Sequence, residues 1–292
     1  MKPRTFNYHR PDSLEEALGL LAQHADEAKV LAGGQSLLPM LNFRLASPAH
    51  LLDINRIAAL GGLAYDNDAL AIGAIVRQRA VENTPDVALS YPLLRSALTQ
   101  VAHLQIRNRG TVCGSLAHAD ASAELPAVMV TLGASMVALS ARAKREIPAE
   151  EFFEFHLGTA LAADELLAEV RLPPPPAGSY GTFVEVARRA GDFALVGAAV
   201  QATISDDGVV RALRIACTGV APTPLLVPDA AAVALGSNLS DSVLLEVDQA
   251  VRRVLDPPGD VHASASYRKV VAGTIVRRAL AALRDEAAAS HG

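Results

Sequence analysis

The stretch Arg107 to Pro126, RNRGTVCGSLAHADASAELP, constrains this chain more than any other. Between Gly110 and Ser115 every side chain is small or β-branched. A hydrophobic core has no need of so bare a stretch. A backbone that must approach a large anionic ligand does need one. Beyond Ser115 the residues stay small and polar up to Glu124, then turn apolar at Leu125, Ala127, Val128, Met129 and Val130. That switch predicts a helix opening at Glu124, with the acid at the positive end of the helix dipole.

A second segment of the same kind lies earlier. Ala28 to Ala32 is a short apolar run, followed by Gly33-Gly34-Gln35-Ser36 and then by Leu37, Leu38, Met40 and Leu41. The pattern predicts strand, glycine turn and helix, with Pro39 in an early helical turn. Main-chain N–H groups at such a turn can hold an anion, although most glycine pairs are turns only. Two such loops far apart in sequence could clamp a diphosphate from two sides.

Composition limits the alternatives. The 292 residues predict about two domains. With 51% hydrophobic residues, 4% aromatics and no Trp, the cores must be built from Ala, Leu and Val. The net charge of −5 and the lack of a basic tract argue against nucleic acid as a partner. Two cysteines, Cys113 and Cys217, are too few for a disulfide framework and fit a reducing, cytoplasmic compartment. They are also too few for an iron–sulfur cluster within this chain, and His and Cys do not pair at zinc spacing, so no metal site is expected. The N-terminus lacks a signal-peptide pattern. The uncharged run Leu125 to Ala141 falls short of the ~20 apolar residues of a membrane span and is expected to form helix, turn and buried strand.

In chain order, Ser13 to Glu16 reads as a capping box, and Leu14, Ala17, Leu18, Leu21 and Ala22 share one helical face. His50 to Ile54 is the next strand and closes a small β–α–β unit near Arg56. Leu63–Tyr65 and Ala69–Ile72 bracket Asp66-Asn67-Asp68, a hairpin signal. A helix is predicted over 92–104, a strand pair over 135–139 and 144–147, and a strand over 166–172. The prolines at 173 to 176 mark a boundary. Three strands follow at 180–186, 194–204 and 209–218, then helices, the last over 266–287. The fold class is α+β. The expected division is 1–175, with subdomains 1–56 and 57–175, and 178–292 as a C-terminal domain with a three-stranded antiparallel sheet and helices. No G-x-G-x-x-G, phosphate-binding NTPase loop or internal repeat is present.

AGGQSLLP at 32–39 and RNRGTVCGSLAHADASAELP at 107–126 resemble the two FAD-diphosphate loops of the flavoprotein (medium) subunit of molybdenum hydroxylases, the xanthine dehydrogenase and carbon monoxide dehydrogenase type. The resemblance covers essentially the whole chain. It implies a vanillyl-alcohol-oxidase-type (PCMH) FAD-binding domain of two subdomains, and non-covalent FAD. It implies cofactor contacts from Lys29, Val30, Leu31, Ala32, Gly33, Gly34, Gln35, Ser36 and Leu37, and from Thr111, Val112, Cys113, Gly114 and Ser115. It adds His118 through its place in the loop, apolar contacts from Val101, Leu166 and Leu167, and Phe193 near the flavin ring. Glu124 has two readings side by side: acceptor for ribose hydroxyls, or helix-start acid. No catalytic residue is assigned.

Two departures stand out. Cys113 replaces the first of the family's two glycines, and it reads as a buried small hydrophobe rather than a redox thiol. Val184 stands where relatives often have lysine. The resemblance further implies partners: a small subunit with [2Fe–2S] clusters and a large molybdopterin subunit, in a dimer of heterotrimers. Electrons would pass through FAD to an external acceptor. The hydroxylated substrate stays open among N-heterocycles, aldehydes and carbon monoxide, and the acceptor among NAD, oxygen and quinone. The alternatives are a stand-alone FAD-dependent reductase of the same fold and a non-catalytic assembly subunit.

Overall fold

Helix Leu14–His24 shows how local sequence sets the elements. Ser13 Oγ accepts the Glu16 N–H at 3.1 Å, while the Glu16 carboxylate accepts the Asp12 N–H, one residue earlier than in a strict capping box. Ala17, Leu18 and Leu21 are then buried on one side. The computed structural model describes residues 2–66 and 69–290. It divides into two units that interleave along the chain. One comprises Met1–Val81, His103–Ala119 and Ala134–Pro173. The other comprises Glu82–Ala102, Asp120–Gly133 and Pro174–Gly292.

Among the described residues the first unit holds three sheets. A parallel sheet places strand His50–Asp53 between Asn7–His9 and Ala28–Leu31. Its first strand, Asn7–His9, is absent from the sequence reading, because three residues are too few to show a period. An antiparallel sheet runs in the order Leu63–Asp66, Ala69–Gly73, Leu166–Leu172, Ser135–Leu139, Lys144–Pro148. Its central strand, Leu166–Leu172, pairs with a neighbour on each edge and is apolar except at Glu169 and Arg171. Leu63–Asp66 pairs with Ala69–Gly73 as expected for a hairpin, whose turn at Asn67-Asp68 lies outside the described residues. A third sheet is the small hairpin Phe153–Phe155 with Gly158–Thr159.

The second unit is a meander of Ser179–Ala187, Ala194–Ile204 and Val210–Thr218. The expected three strands become four, since Leu225–Leu226 pairs with the last of them. Ala198 and Ala199 point to opposite faces, and both are fully buried. On one face a core of Val196, Ala198 and Val200 packs with Val247, Val251, Ile275, Val276 and Leu280 from helices Asp241–Val254 and Ala265–Ser290. On the other, helices Pro92–Gln100 and Glu124–Leu132 pack on the strands. Arg214 donates to the carbonyls of Val130 and Thr131, satisfying the C-terminal end of helix Glu124–Leu132. The helix expected over 92–104 is interrupted. It ends at Gln100, and a separate turn of helix runs Leu104–Arg107. Helix Pro85–Ser90 precedes it and was not foreseen. Among the described residues no helix is long and apolar enough to cross a membrane.

Candidate functional site: two adjoining main-chain turns

Both predicted loops belong to the first unit. Strand Ala28–Leu31 runs into the turn Gly33–Ser36, and helix Leu37–Phe43 begins behind it. Gly34 has φ +74°, a left-handed conformation that glycine adopts without strain. Residues 33 to 37 are half-buried. The main-chain N–H groups of Gly34, Gln35 and Ser36 donate to no acceptor among the described residues, and the Gln35 side chain folds back onto the Gly33 carbonyl. Ser36 occupies the N-cap position, yet its hydroxyl caps nothing. The turn thus presents unsatisfied donors at a helix start, which suits an anionic group.

The second segment differs from its expectation. Instead of an open loop at 110–115, residues Val112–His118 form a helix. Thr111 is its N-cap, and its hydroxyl accepts the Gly114 N–H at 3.0 Å. Small residues here serve close packing: a Cβ on Gly114 would lie 2.6 Å from the Thr111 hydroxyl oxygen. The Ser115 N–H goes to the Thr111 carbonyl, and the Gly110 N–H to Ile106. Glu124 still opens the next helix, Glu124–Leu132, as foreseen.

The two segments lie side by side. A Cβ on Gly33 would stand 2.5 Å from the Arg109 carbonyl oxygen and 2.8 Å from the Gly110 Cα. Polar side chains tie them together. Asn55 donates to the Ala32 carbonyl at 2.8 Å and to Asp53 Oδ1 at 2.6 Å. Arg77 donates to Asn55 Oδ1 and to the Arg109 carbonyl, both at 2.6 Å. Tyr8 donates to the other Asp53 oxygen at 2.5 Å. Burial pushes the Asp53 carboxyl upward, but the hydrogen bonds from Tyr8 and Asn55 outweigh it and hold the group below the usual carboxylate range. Burial and the neighbouring Arg109 charge both pull the Arg77 guanidinium downward. Neither Asn55 nor Arg77 shows any spacing or motif in the sequence that marks it as a clamp.

The remaining candidates fall into place separately. Lys29 is exposed on its strand, with Val30 and Leu31 half-buried. Thr111, Val112 and Cys113 are buried. Cys113 Sγ donates to the Ile72 carbonyl at 3.3 Å, and burial pushes the thiol up to about 12, so the side chain is the small hydrophobe expected. Leu166 and Leu167 are core residues of the antiparallel sheet, each 3% exposed. His118 is half-buried on helix Val112–His118. Val101, Glu124 and Phe193 belong to the second unit, where Val101 and Glu124 are buried. Phe193 is 59% exposed and immediately precedes strand Ala194–Ile204. Val184 is half-buried against the helical core of that unit, a place that suits an apolar residue.

Residues 4–175 match the FAD binding domain in molybdopterin dehydrogenase, and residues 181–283 match the CO dehydrogenase flavoprotein C-terminal domain. The 6-hydroxypseudooxynicotine dehydrogenase complex subunit alpha of Paenarthrobacter nicotinovorans is 42% identical over 281 residues, covering 96% of this chain and 95% of that protein. The caffeine dehydrogenase subunit beta of a Pseudomonas species is 42% identical over 286 residues, with 98% and 97% covered. Among solved structures, carbon monoxide dehydrogenase from Hydrogenophaga pseudoflava superposes with a TM-score of 0.93 at 37% identity, covering 97% of this chain and 98% of that one. Quinoline 2-oxidoreductase from Pseudomonas putida 86 does so with a TM-score of 0.93 at 37% identity, covering 98% and 99%. The glycine turn, the helix packed against it and these matches along nearly the whole chain establish that the protein belongs to the family of FAD-binding subunits of molybdenum hydroxylase-type dehydrogenases.

Proposed function

We propose that the chain holds FAD non-covalently by its diphosphate at the paired turns Lys29–Leu37 and Thr111–Ser115, and works as the electron-transfer subunit of a heterotrimeric molybdenum hydroxylase. The observation that carries this reading is the packing of Gly33 on the Arg109–Gly110 main chain, which brings both turns to one place. The bare N–H groups of Gly34, Gln35 and Ser36 supply hydrogen bonds for phosphate oxygens, and the ends of two helices supply favourable dipoles. The Arg77–Asn55 clamp holds that spacing before any ligand arrives, so little ordering is left for binding to accomplish.

When bound, the flavin supplies the redox chemistry, accepting electrons and releasing them. The protein's own residues bind, orient and exclude water. Electrons come from [2Fe–2S] centres of a small partner subunit, substrate is hydroxylated in a large molybdopterin subunit, and an external acceptor takes the electrons in the end. The relatives are named as subunits of dehydrogenase complexes, which favours this reading over a stand-alone reductase.

Ser36→Asp tests the site. A carboxylate at this N-cap position suits the helix itself, yet it places a negative charge where the diphosphate would lie. The purified complex should lose at least about nine-tenths of its flavin, a cost of ~1.4 kcal/mol or more in binding, with thermal stability of the flavin-free chain kept or raised. Full flavin occupancy in this variant overturns the placement.

A further inference from the structure

A cluster of three histidines lies in the parallel sheet of the first unit, apart from the turns described above. His50 opens the central strand His50–Asp53, and His9 ends the neighbouring strand Asn7–His9. In their register Asn7 sits beside His50 and His9 beside Leu52, so His9 and His50 project from the same face. His24 is the last residue of helix Leu14–His24. His9 Nε2 and His50 Nδ1 are 2.8 Å apart. The His24 and His50 rings stack at 3.6 Å between centroids, tilted by 14°, and the His9 and His24 rings lie at 5.4 Å. One nitrogen from each ring falls within 4.8 Å of those of the other two, and all three residues are half-buried.

Such a grouping is unusual as mere packing. Two neutral imidazoles 2.8 Å apart can share only one proton between their facing nitrogens, and a third ring stacked on them gains no hydrogen bond. We propose that His9, His24 and His50 form a three-imidazole site for a divalent late first-row transition metal such as Zn2+. The chemistry fits the ion, because neutral imidazole is a borderline ligand suited to zinc, copper and nickel. Tetrahedral zinc, with Zn–N of about 2.0–2.1 Å, sets the nitrogens about 3.3 Å apart. The His9–His50 pair is already closer than that. The stacked His24 ring must turn out of its stack to complete the set. Partial exposure leaves a fourth position for water.

The site is separate from the diphosphate turns. His50 begins its strand beside Ala28, whereas Asp53 ends it beside Leu31, just before the glycine turn. Three residues of strand separate the two ends, on the order of 10 Å. A bound ion would tie the end of helix Leu14–His24 to two strands of the sheet.

The test uses the full chain carrying FAD, treated with chelator, dialysed, and titrated with ZnCl2 by calorimetry at pH 7.5. The expected result is one Zn2+ per chain with a Kd of about 10 μM or tighter, together with a rise in Tm on adding zinc. In His24→Gln, which keeps a polar side chain at a half-exposed helix end, affinity should fall at least about tenfold and the zinc-dependent rise in Tm should vanish. His9→Gln should act in the same way while FAD content stays unchanged. An absence of one-to-one zinc binding, or zinc binding that His24→Gln leaves intact, overturns the proposal. Because FAD content is read in the same samples, failure of this site is distinguishable from failure of the flavin assignment.

Discussion

Gly33 lies directly against the main chain of Arg109, with no room for a Cβ between them. The contact involves backbone on both sides, so neither partner can swing away as a side chain would. Gly33→Ala should therefore force the turns apart, at a cost of about 1–3 kcal/mol. Gly19 offers a control, since it lies inside a helix with nothing near its missing Cβ. Gly19→Ala should stabilise by about 0.5–1 kcal/mol. Urea unfolding of both variants, with flavin content measured alongside, checks the pair. Equal stability and equal flavin in Gly33→Ala would show that the turns need not touch.

Arg77 reaches two acceptors at once, the Arg109 carbonyl and Asn55 Oδ1, from two nitrogens of one planar group. Lysine keeps the charge but has one terminal nitrogen on a flexible stem. Arg77→Lys should lose about 1–2 kcal/mol of the clamp and weaken FAD binding by about tenfold. Flavin release from the purified variant, followed by fluorescence, measures this. Asn55→Ala should behave alike and should not add fully to Arg77→Lys, because the two residues share one hydrogen bond.

Cys113 and Cys217 are both buried, and burial pushes each thiol up to about 12. The thiolate is the reactive form. With a thiol-reactive chromophore at pH 8, the native chain should show no rapid reaction, and both thiols should react after unfolding in guanidinium. Fast labelling of Cys113 in the native state would mean that its helix opens readily.

Glu185, on strand Ser179–Ala187, carries a buried oxygen with no hydrogen-bond partner, and burial pushes its carboxyl up to about 7. The folded-state value exceeds the unfolded one, so its contribution to stability is fully present below about pH 4.5 and is lost as pH rises through about 7. The residue is partly exposed, which trims the effect to about 1 kcal/mol. Glu185→Gln should flatten the stability profile between pH 5 and pH 8. Asp53 has the opposite sign. Its folded-state value is depressed, so its contribution holds above the unfolded value and fades as the solution is made more acidic. Chemical unfolding at several pH values separates the two.

Period and punctuation made most of the second unit legible. The strand at 194–204 coincides with its sequence reading, because the run Ala194 to Val200, without a polar side chain, marks a strand covered on both faces. Leu166–Leu172 was legible as a short, mostly apolar segment bounded by the prolines that begin at 173. Short elements were not. Asn7–His9 and Leu225–Leu226 are too brief for any period, and the break near Val101 follows no proline or glycine signal. The glycine turn at 33–36 was readable because Gly34 needs a left-handed backbone. At 110–115 the sequence predicts an open loop, since small residues at a helix N-terminus look the same in a string of letters as small residues in a loop.

The amino-acid sequence on its own determined the small-residue make-up of the two segments, the α+β class and the largely aliphatic cores, and the two motifs carried the resemblance to the family, because each of these is written in residue types that need no knowledge of which distant segments meet. Tertiary structure decided what those residues meet. It brought Gly33 onto Arg109, put Asn55 and Arg77 between them, and gathered His9, His24 and His50 on one face of a sheet. Such meetings depend on strand order and register between segments far apart in the chain. No local pattern encodes them, since it is the packed sheet that fixes which distant side chains share a face.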